Sequence, residues 1–327
     1  TSPQNELALN AIAGRRQEYI GRKGPASTVG TIDPNLVLSV TVVLYNNSEH
    51  LPGFLDSLVG QQFPSGSINL YLVDNGSEHS EREKIRDYAQ QFRRSFRSLE
   101  VITQQNLGYG GGQHAAICRA ATEFVLISNV DVEYLPDSIC NVLRAAVSDD
   151  ADVAAWELRQ FPFEHPKYYD PVTLETNWNS HACVLVRREH YFEVGGYEPA
   201  IFMYGEDVEL SYRLRRQGYR LRYIPAARVM HDIGGRSESS IAFQIANCIT
   251  ANFLIRLRYG RFLNVVAGFA RLLKDVLKGT EYQPATPLLR SYFWPTMAKS
   301  WHFLVTRRRS EASFPFRGFD FELARHG

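Results

Sequence analysis

Val37-Leu-Ser-Val-Thr-Val-Val-Leu44 is β-branched and apolar along its length, and its reading decides the fold. A strand of this composition is buried on both faces of a parallel sheet, because neither face can meet water. A helical stretch follows from about Leu51 to Gln62, then a second apolar run, Ile68-Asn-Leu-Tyr-Leu-Val73, then a charged helix from about Ser80 to Phe96. A third strand near Leu99 to Thr103, a helix from about Gly112 to Ala121 and a fourth strand, Phe124-Val-Leu-Ile127, continue the alternation. Strands and helices alternating in this way predict a Rossmann-like nucleotide-binding half.

Working outward, residues 1–36 are polar and close on Gly24, Pro25, Gly30 and Pro34, the composition of a leader or linker. Beyond a helix from about Asp137 to Val147, short β segments alternate with loops rich in aromatic residues and proline, through Phe161, Pro162, Phe163, Pro166, Tyr168 and Tyr169. Such a region builds the acceptor side of a cleft. A helix from about Asp207 to Gln217 and a strand near Arg220 to Ile224 close a catalytic domain of residues 37–240. From Ser240 to roughly Lys278 the pattern is helical, which predicts a helical C-terminal extension over residues 241–327.

Composition narrows the class. Apolar residues at 44% and charged residues at 22% suit a soluble globular chain with a sizeable core. A formal net charge of +1 gives no global field that would hold nucleic acid. Cys118, Cys140, Cys183 and Cys248 lie far apart with no CxxC pair, which predicts reduced thiols and a cytoplasmic setting. No run of about 18 consecutive apolar residues and no charged-then-apolar leader is present, so neither a membrane span nor secretion is expected.

In open α/β sheets ligands bind beyond the carboxyl ends of the strands. The first strand ends in Tyr45-Asn46-Asn47, polar groups that either hold a nucleoside or close a turn. The second ends in Asp74-Asn75-Gly76-Ser77, where Asp74 either accepts from a pyrimidine N–H or caps the next helix. The fourth ends in Ser128-Asn129-Val130-Asp131, an arrangement suited to a hard divalent cation on a diphosphate and equally to a helix cap. Glu206 and Asp207 open a helix whose N-terminus favours ionised carboxylates, the form a general base needs.

Taken in order, Thr41-Val-Val-Leu-Tyr-Asn46, Val73-Asp-Asn-Gly-Ser77, Asn106-Leu-Gly-Tyr-Gly-Gly-Gly112, Asn129-Val-Asp131, Phe202-Met-Tyr-Gly-Glu-Asp-Val-Glu-Leu210 and Val229-Met-His-Asp-Ile-Gly-Gly-Arg-Ser237 resemble the family 2 glycosyltransferases of the GT-A fold, closest to their rhamnosyltransferase-like branch. Each motif is weak alone; their joint order is specific. The resemblance implies a mixed α/β sheet and inverting sugar transfer from a nucleotide-diphosphate donor, first of all dTDP-rhamnose, otherwise a UDP-hexose or UDP-galactofuranose. It implies an acceptor hydroxyl on a polysaccharide or lipid-linked glycan. Asp74 would contact the base, and Tyr45, Asn46, Asn75, Asn106, Gly108 and Asn129 would line the donor site, with Arg236 assisting. Asp131 and His231 would bind Mn²⁺ or Mg²⁺, and imidazole favours manganese. Asp207 would be the base with Glu206 in support. Trp178 either stacks on an acceptor sugar or packs in the core. His181 and His114 stand where family members often carry a small residue and an asparagine, positions that bear on acceptor and donor specificity.

In the extension, Arg256, Arg258, Arg261, Arg271, Lys274 and Lys278 run among apolar residues, with Asp275 the lone acid between Ile241 and Thr280. This basic amphipathic pattern fits peripheral attachment to an anionic membrane on the cytoplasmic face, or a helical layer packed on the catalytic domain or in a homo-oligomer. Tyr292, Phe293, Trp294, Trp301 and Phe303, ahead of Arg307-Arg-Arg309, add interface-type aromatics. The alternative to an enzyme is a catalytically silent nucleotide-sugar or glycan-binding domain, which need not keep Asp131, Asp207 and His231 together. A nucleotidyltransferase would want a basic glycine-rich loop after the first strand. No GxSxG elbow marks a hydrolase, and the glycine run follows the third strand rather than the first, as a dehydrogenase would not have it.

Overall fold

In the computed structural model, which describes residues 31–162, 164, 169–231 and 237–307, the opening apolar run is strand β1 (Leu38–Leu44) at the heart of an eight-stranded sheet. Leader residues 1–30 lie outside the described residues, as do Phe163, Pro166, Tyr168, Arg308 and Arg309. β1 pairs in parallel with β2 (Ile68–Asn75) and β4 (Phe124–Ser128), and β2 pairs in parallel with β3 (Ser98–Gln104). These four strands form the Rossmann-like half.

Both faces of that half are covered, as the unbroken apolar strands require. Leu70, Leu72 and Leu126 face helices α1 (Leu51–Val59), α2 (His79–Phe92) and α4 (Ser138–Ser148), whose Phe54, Ile85 and Val142 share their cluster. The alternate residues Tyr71, Val73 and Val125 face α3 (Gly108–Arg119), α5 (Arg188–Glu193) and α6 (Glu206–Arg216). The helix expected from Gly112 begins four residues earlier, so the glycine run read as a loop is the first turn of α3. Packing overrides the weak helix propensity of glycine here. A Cβ on Gly112 would stand 2.7 Å from Val43 of β1, so only a bare backbone lets α3 lie this close to the sheet.

The rest of the sheet is mixed. β7 (Cys183–Arg187) runs antiparallel to β4, β6 (Val153–Phe161) antiparallel to β7, and β8 (Arg220–His231) parallel to β6. β5 (Val132–Tyr134) closes the edge antiparallel to β8. The strand read near 220–224 thus continues to His231, with a register shift between Leu158 and Arg159 of its partner. Two reversals restore the original direction, so β6 and β8 end at the same edge as β1, β2, β3 and β4.

The extension holds three long helices: α7 (Glu238–Tyr259), α8 (Phe262–Lys278) and α9 (Thr286–Val305). The helical stretch expected to run unbroken to Lys278 breaks at Gly260, where a Cβ would meet the Arg256 carbonyl oxygen at 2.5 Å. α7 is long and apolar enough to cross a membrane by length and composition, yet 78% of that window is buried inside the fold. It is the core helix of the extension, sharing a cluster with Leu272, Leu289 and Phe303 of the flanking helices and with Trp178, Ile201, Val208 and Tyr212 of the catalytic part.

Arg256 and Arg258, read as part of a basic amphipathic face, are 7% and 4% exposed. Arg256 donates to Asn252 Oδ1 at 2.5 Å. Arg258 donates to Glu209 Oε1 on α6 at 2.5 Å and to Glu198 Oε2 at 2.7 Å, and its guanidinium lies 4.2 Å from the Phe303 ring centre. His302 Nε2 lies 3.1 Å from the same Glu198 oxygen, and Arg213 reaches Glu209 Oε2. Burial works against the Arg258 charge, but the Glu209 and Glu198 carboxylates raise its pKa overall. Removing one partner of such a buried pair costs about 3–5 kcal/mol, because the charge left behind is uncompensated.

Arg258→Ala is therefore expected to destabilise the chain by about 3–5 kcal/mol in a denaturant titration. Burial raises the Glu198 pKa, but Arg258 pulls it, net, below its ordinary value of 4.5. That stability is present above pH 4.5 and lost as the pH falls through the lower folded value. The acid limb of stability against pH should flatten in Arg258→Ala; an unchanged limb would place the acid sensitivity elsewhere.

Candidate active site

Because six strands end at one edge, residues far apart in sequence meet there. Asp131 follows β4 and His231 ends β8; the β5–β8 pairing sets Val132 opposite His231. Asp131 Oδ1 and His231 Nε2 stand 3.3 Å apart, with the imidazole 6% exposed. His231 Nδ1 lies 2.8 Å from Gln160 Oε1 at the end of β6. That contact orients the ring so that Nε2 faces the Asp131 carboxylate. Nε2 is buried and has no hydrogen-bond partner. An imidazole nitrogen and a carboxylate oxygen 3.3 Å apart are placed to share one cation. Two ligand atoms at right angles, each about 2.1 Å from one octahedral ion, stand about 3 Å apart. The pair fits a divalent cation, and its mixed nitrogen and oxygen donors fit Mn²⁺ better than Mg²⁺. Among the described residues no cluster of three or more His, Cys, Asp or Glu forms a metal site, so other ligands would come from substrate or water.

The ends of β1, β2 and β3 build the neighbouring part. Tyr45 is half exposed, with its ring available for stacking. Asn46 holds a left-handed φ of 52° and ties two loops together, donating from its N–H to Ser77 Oγ at 3.2 Å and accepting from the Glu78 N–H at 2.8 Å. Asp74 is fully buried; one oxygen accepts from the Ser77 N–H at 2.9 Å and the other from Arg82 Nε at 2.7 Å. The capping contact is thus made, and each oxygen keeps a second lone pair for a further donor. Asn75 staples the glycine turn: its amide donates to Asn106 Oδ1 and the Gly108 carbonyl, both at 3.1 Å, and accepts from Gln104 at 2.8 Å.

Gly108 is where the Rossmann-like half meets the 202–205 segment. Its φ is +77°, and a Cβ there would stand 2.0 Å from the Phe202 carbonyl oxygen. That oxygen accepts from the Tyr109 N–H at 3.1 Å, docking the 202–205 segment on the first turn of α3. Gly205, at φ 132°, then starts α6, whose first residues are Glu206 and Asp207, both nearly buried. Asp207 Oδ1 accepts from the Val208 N–H at 2.8 Å.

Beneath this turn lies a polar layer the sequence did not announce. Gln113, fully buried, accepts from Thr41 Oγ1 at 2.7 Å and donates to Tyr109 Oη and the Ser128 carbonyl, both at 3.1 Å. Tyr109 donates to the His181 carbonyl at 2.6 Å, and His181 Nδ1 shares a 2.5 Å hydrogen bond with Tyr197. Burial, and the negative charges of Glu206 and Asp207, push both phenols well above their usual range. Asn129 is half-buried and donates its N–H to the Ala182 carbonyl at 2.8 Å. Glu157 Oε2 accepts from the Ser180 N–H at 2.7 Å and so holds the 177–183 segment against β6. His181 and Trp178 are both nearly buried; Trp178 packs in the helical cluster with Val208 and Tyr212, which supports the core reading of that ring. His114 pairs with Tyr191 at 2.8 Å, and burial lowers its pKa. Arg236 lies outside the described residues.

Comparison with known proteins gives the family. Residues 39–213 match the model of a family described as "Glycosyl transferase family 2". The chain is 29% identical over 242 residues to N-acetylglucosaminyl-diphospho-decaprenol L-rhamnosyltransferase of Mycobacterium tuberculosis, covering 60% of this chain and 76% of that one. It is 36% identical over 84 residues to rhamnosyltransferase WbbL of Escherichia coli K12, covering 25% and 32%. Among solved structures, mannosyltransferase PcManGT of Pyrobaculum calidifontis, in complex with GDP-Man and Mn²⁺, superposes with a TM-score of 0.58 at 18% identity, covering 92% of this chain and 96% of that one. At that identity the likeness is one of fold.

Gly108→Ala tests the joint between the two halves. Positive φ and overlap with a backbone oxygen together are expected to cost about 2–4 kcal/mol. The melting temperature should fall accordingly, and an unchanged value would mean that the 202–205 segment does not rest on this glycine.

Proposed function

The chain belongs to glycosyl transferase family 2 and is a glycosyltransferase, and from that premise we propose inverting, divalent-metal-dependent transfer of a sugar from a nucleotide-diphosphate donor to a glycan hydroxyl. The observation behind metal dependence is the buried His231 Nε2, unpartnered and 3.3 Å from Asp131. A divalent cation held by Asp131 and His231 would offset the charge growing on the departing diphosphate. Gln160 orients the imidazole for that task.

The remaining roles belong to side chains. Tyr45 stacks on the base, and Asp74 and Asn129 contact the nucleoside. Asn75 and Asn106 shape the glycine turn at Gly108 that borders the donor. Asp207, with Glu206 beside it, takes the proton of the acceptor hydroxyl as its oxygen bonds to the anomeric carbon, opposite the breaking bond to the diphosphate. Tyr109 and Tyr197 keep their protons, since both are pushed well above their usual range, so neither phenol competes as the base. The names of the Mycobacterium tuberculosis and Escherichia coli relatives favour rhamnose, from dTDP-rhamnose, with UDP-hexoses and UDP-galactofuranose next. The first of those names also favours a lipid-linked acceptor, and with such an acceptor the enzyme would work at the cytoplasmic face of a membrane.

A thermal-shift series against dTDP, UDP, GDP and CMP, each with and without Mn²⁺, tests the donor reading. A manganese-dependent rise with dTDP or UDP is expected; ligand at a hundredfold excess over Kd contributes about 2.7 kcal/mol. No shift with any nucleotide, in folded protein, would favour a silent binding domain. Asp131→Ala should abolish the manganese dependence, and Gln160→Leu should weaken it about 10–100-fold.

Asp207→Asn separates binding from chemistry. It should keep the nucleotide shift and lose about 10²–10⁴-fold in transfer rate. Normal transfer by this variant would remove Asp207 as the base.

A further inference from the structure

Among the described residues, a long run of exposed apolar side chains lies on α8, beyond the motifs of the sheet edge. Phe262 and Leu263 are each 76% exposed, and Val266, Phe269, Leu273 and Leu277 continue the face. At 100° per residue these six side chains fall within an arc of about 120°. Gly268, Leu272 and Asp275 are buried on another side of the helix. Arg271, Lys274 and Lys278, all exposed, occupy the sector next to the apolar arc. α8 therefore has three sectors: one packed on the protein, one apolar and open, one basic.

α9 extends the surface. Arg290 Nε donates to the Val276 carbonyl at 2.8 Å, binding α9 to the C-terminal turn of α8. About one turn beyond that clasp is Trp294, 76% exposed, and Trp301 follows on the same side at 72%. Between residues 261 and 307 the only exposed acidic residue is Glu281, whereas Arg261, Lys299 and Arg307 add further exposed positive charge.

We propose that this face of α8, continued by Trp294 and Trp301, docks the enzyme on an anionic bilayer, with α8 lying in the headgroup plane. Monomeric proteins rarely leave so contiguous an apolar patch in water. An apolar arc bordered by lysine and arginine matches a lipid interface: the apolar side chains enter the acyl boundary, and the long basic side chains reach back to anionic headgroups. Tryptophan is favoured at that depth. A second copy of the chain fits less well, since it would bring the Arg271–Lys274–Lys278 row against a basic surface like its own. The inference deepens the reading of a lipid-linked acceptor, and its test does not use the transfer reaction.

The test is sedimentation of the full chain with vesicles of phosphatidylcholine alone or mixed with phosphatidylglycerol. The chain should pellet with the anionic vesicles, less so at high salt, and the fluorescence of exposed Trp294 and Trp301 should shift to the blue. Leu263→Ser with Leu277→Ser should lower the partition coefficient about tenfold or more, and Lys274→Gln with Lys278→Gln should lower it for anionic vesicles only. Unchanged melting temperatures and nucleotide shifts would establish that the variants fold. A wild-type chain that stays in the supernatant with anionic vesicles overturns the proposal. So does a dimer in light scattering that Leu263→Ser dissociates. Either result leaves the nucleotide shift standing, so failure here is distinguishable from failure of the transferase reading.

Discussion

Strand direction is the constraint on which the site depends. A carboxylate after β4 and an imidazole at the end of β8 are 100 positions apart in the chain, and they meet because β4, β6 and β8 all point to one edge. Two antiparallel steps, β4 to β7 and β7 to β6, bring the direction back to its starting sense. Had β8 paired antiparallel to β6, His231 would lie at the opposite end of the sheet from Asp131. The short β5 strand completes the device, since its pairing with β8 fixes the register at which the two side chains face each other.

A second constraint couples that edge to the helical extension. Glu209 sits one turn into α6, two residues after Asp207, and is fully buried with both oxygens engaged by Arg258, Tyr259 and Arg213. Buried ion pairs contribute little net stability against an apolar alternative, but they are unforgiving of misplacement, because a displaced partner leaves a bare charge. α7 is in this way indexed to the helix that presents the carboxylate pair, and α9 joins through His302 and Phe303. The extension belongs to the same mechanical unit as the catalytic loop.

The legible parts of the sequence were those with local signals. β1, β2 and β4 are short, mostly apolar and β-branched runs that read as buried strands, and the motif order pointed to the residues of the edge. The glycine run was misread as a loop because propensity cannot see Val43 waiting beneath Gly112. β6 escaped individual assignment because Glu157, Arg159 and Gln160 interrupt its apolar pattern, although Glu157 holds the 177–183 segment from its buried position. Arg258 reads only as one member of a basic amphipathic pattern because its partner Glu209 is 49 residues away, and no periodicity links the two. Gln160 and Gln113 gave no signal at all, since a buried glutamine is recognised only by what it touches.

α7 has a consequence for how the chain is made. Its hydropathy and length are those of a membrane span, and only burial distinguishes it from one. Synthesis runs from N- to C-terminus, so α7 leaves the ribosome before either α8 or α9 exists to cover it. At about 5–20 residues per second, the interval from Tyr259 to Val305 lasts about 2–9 seconds. For that interval a newly made apolar helix stands uncovered beside a folded sheet, where chaperones and insertion machinery compete with its own unfinished chain. α8 and α9 are the helices that withdraw it from that competition.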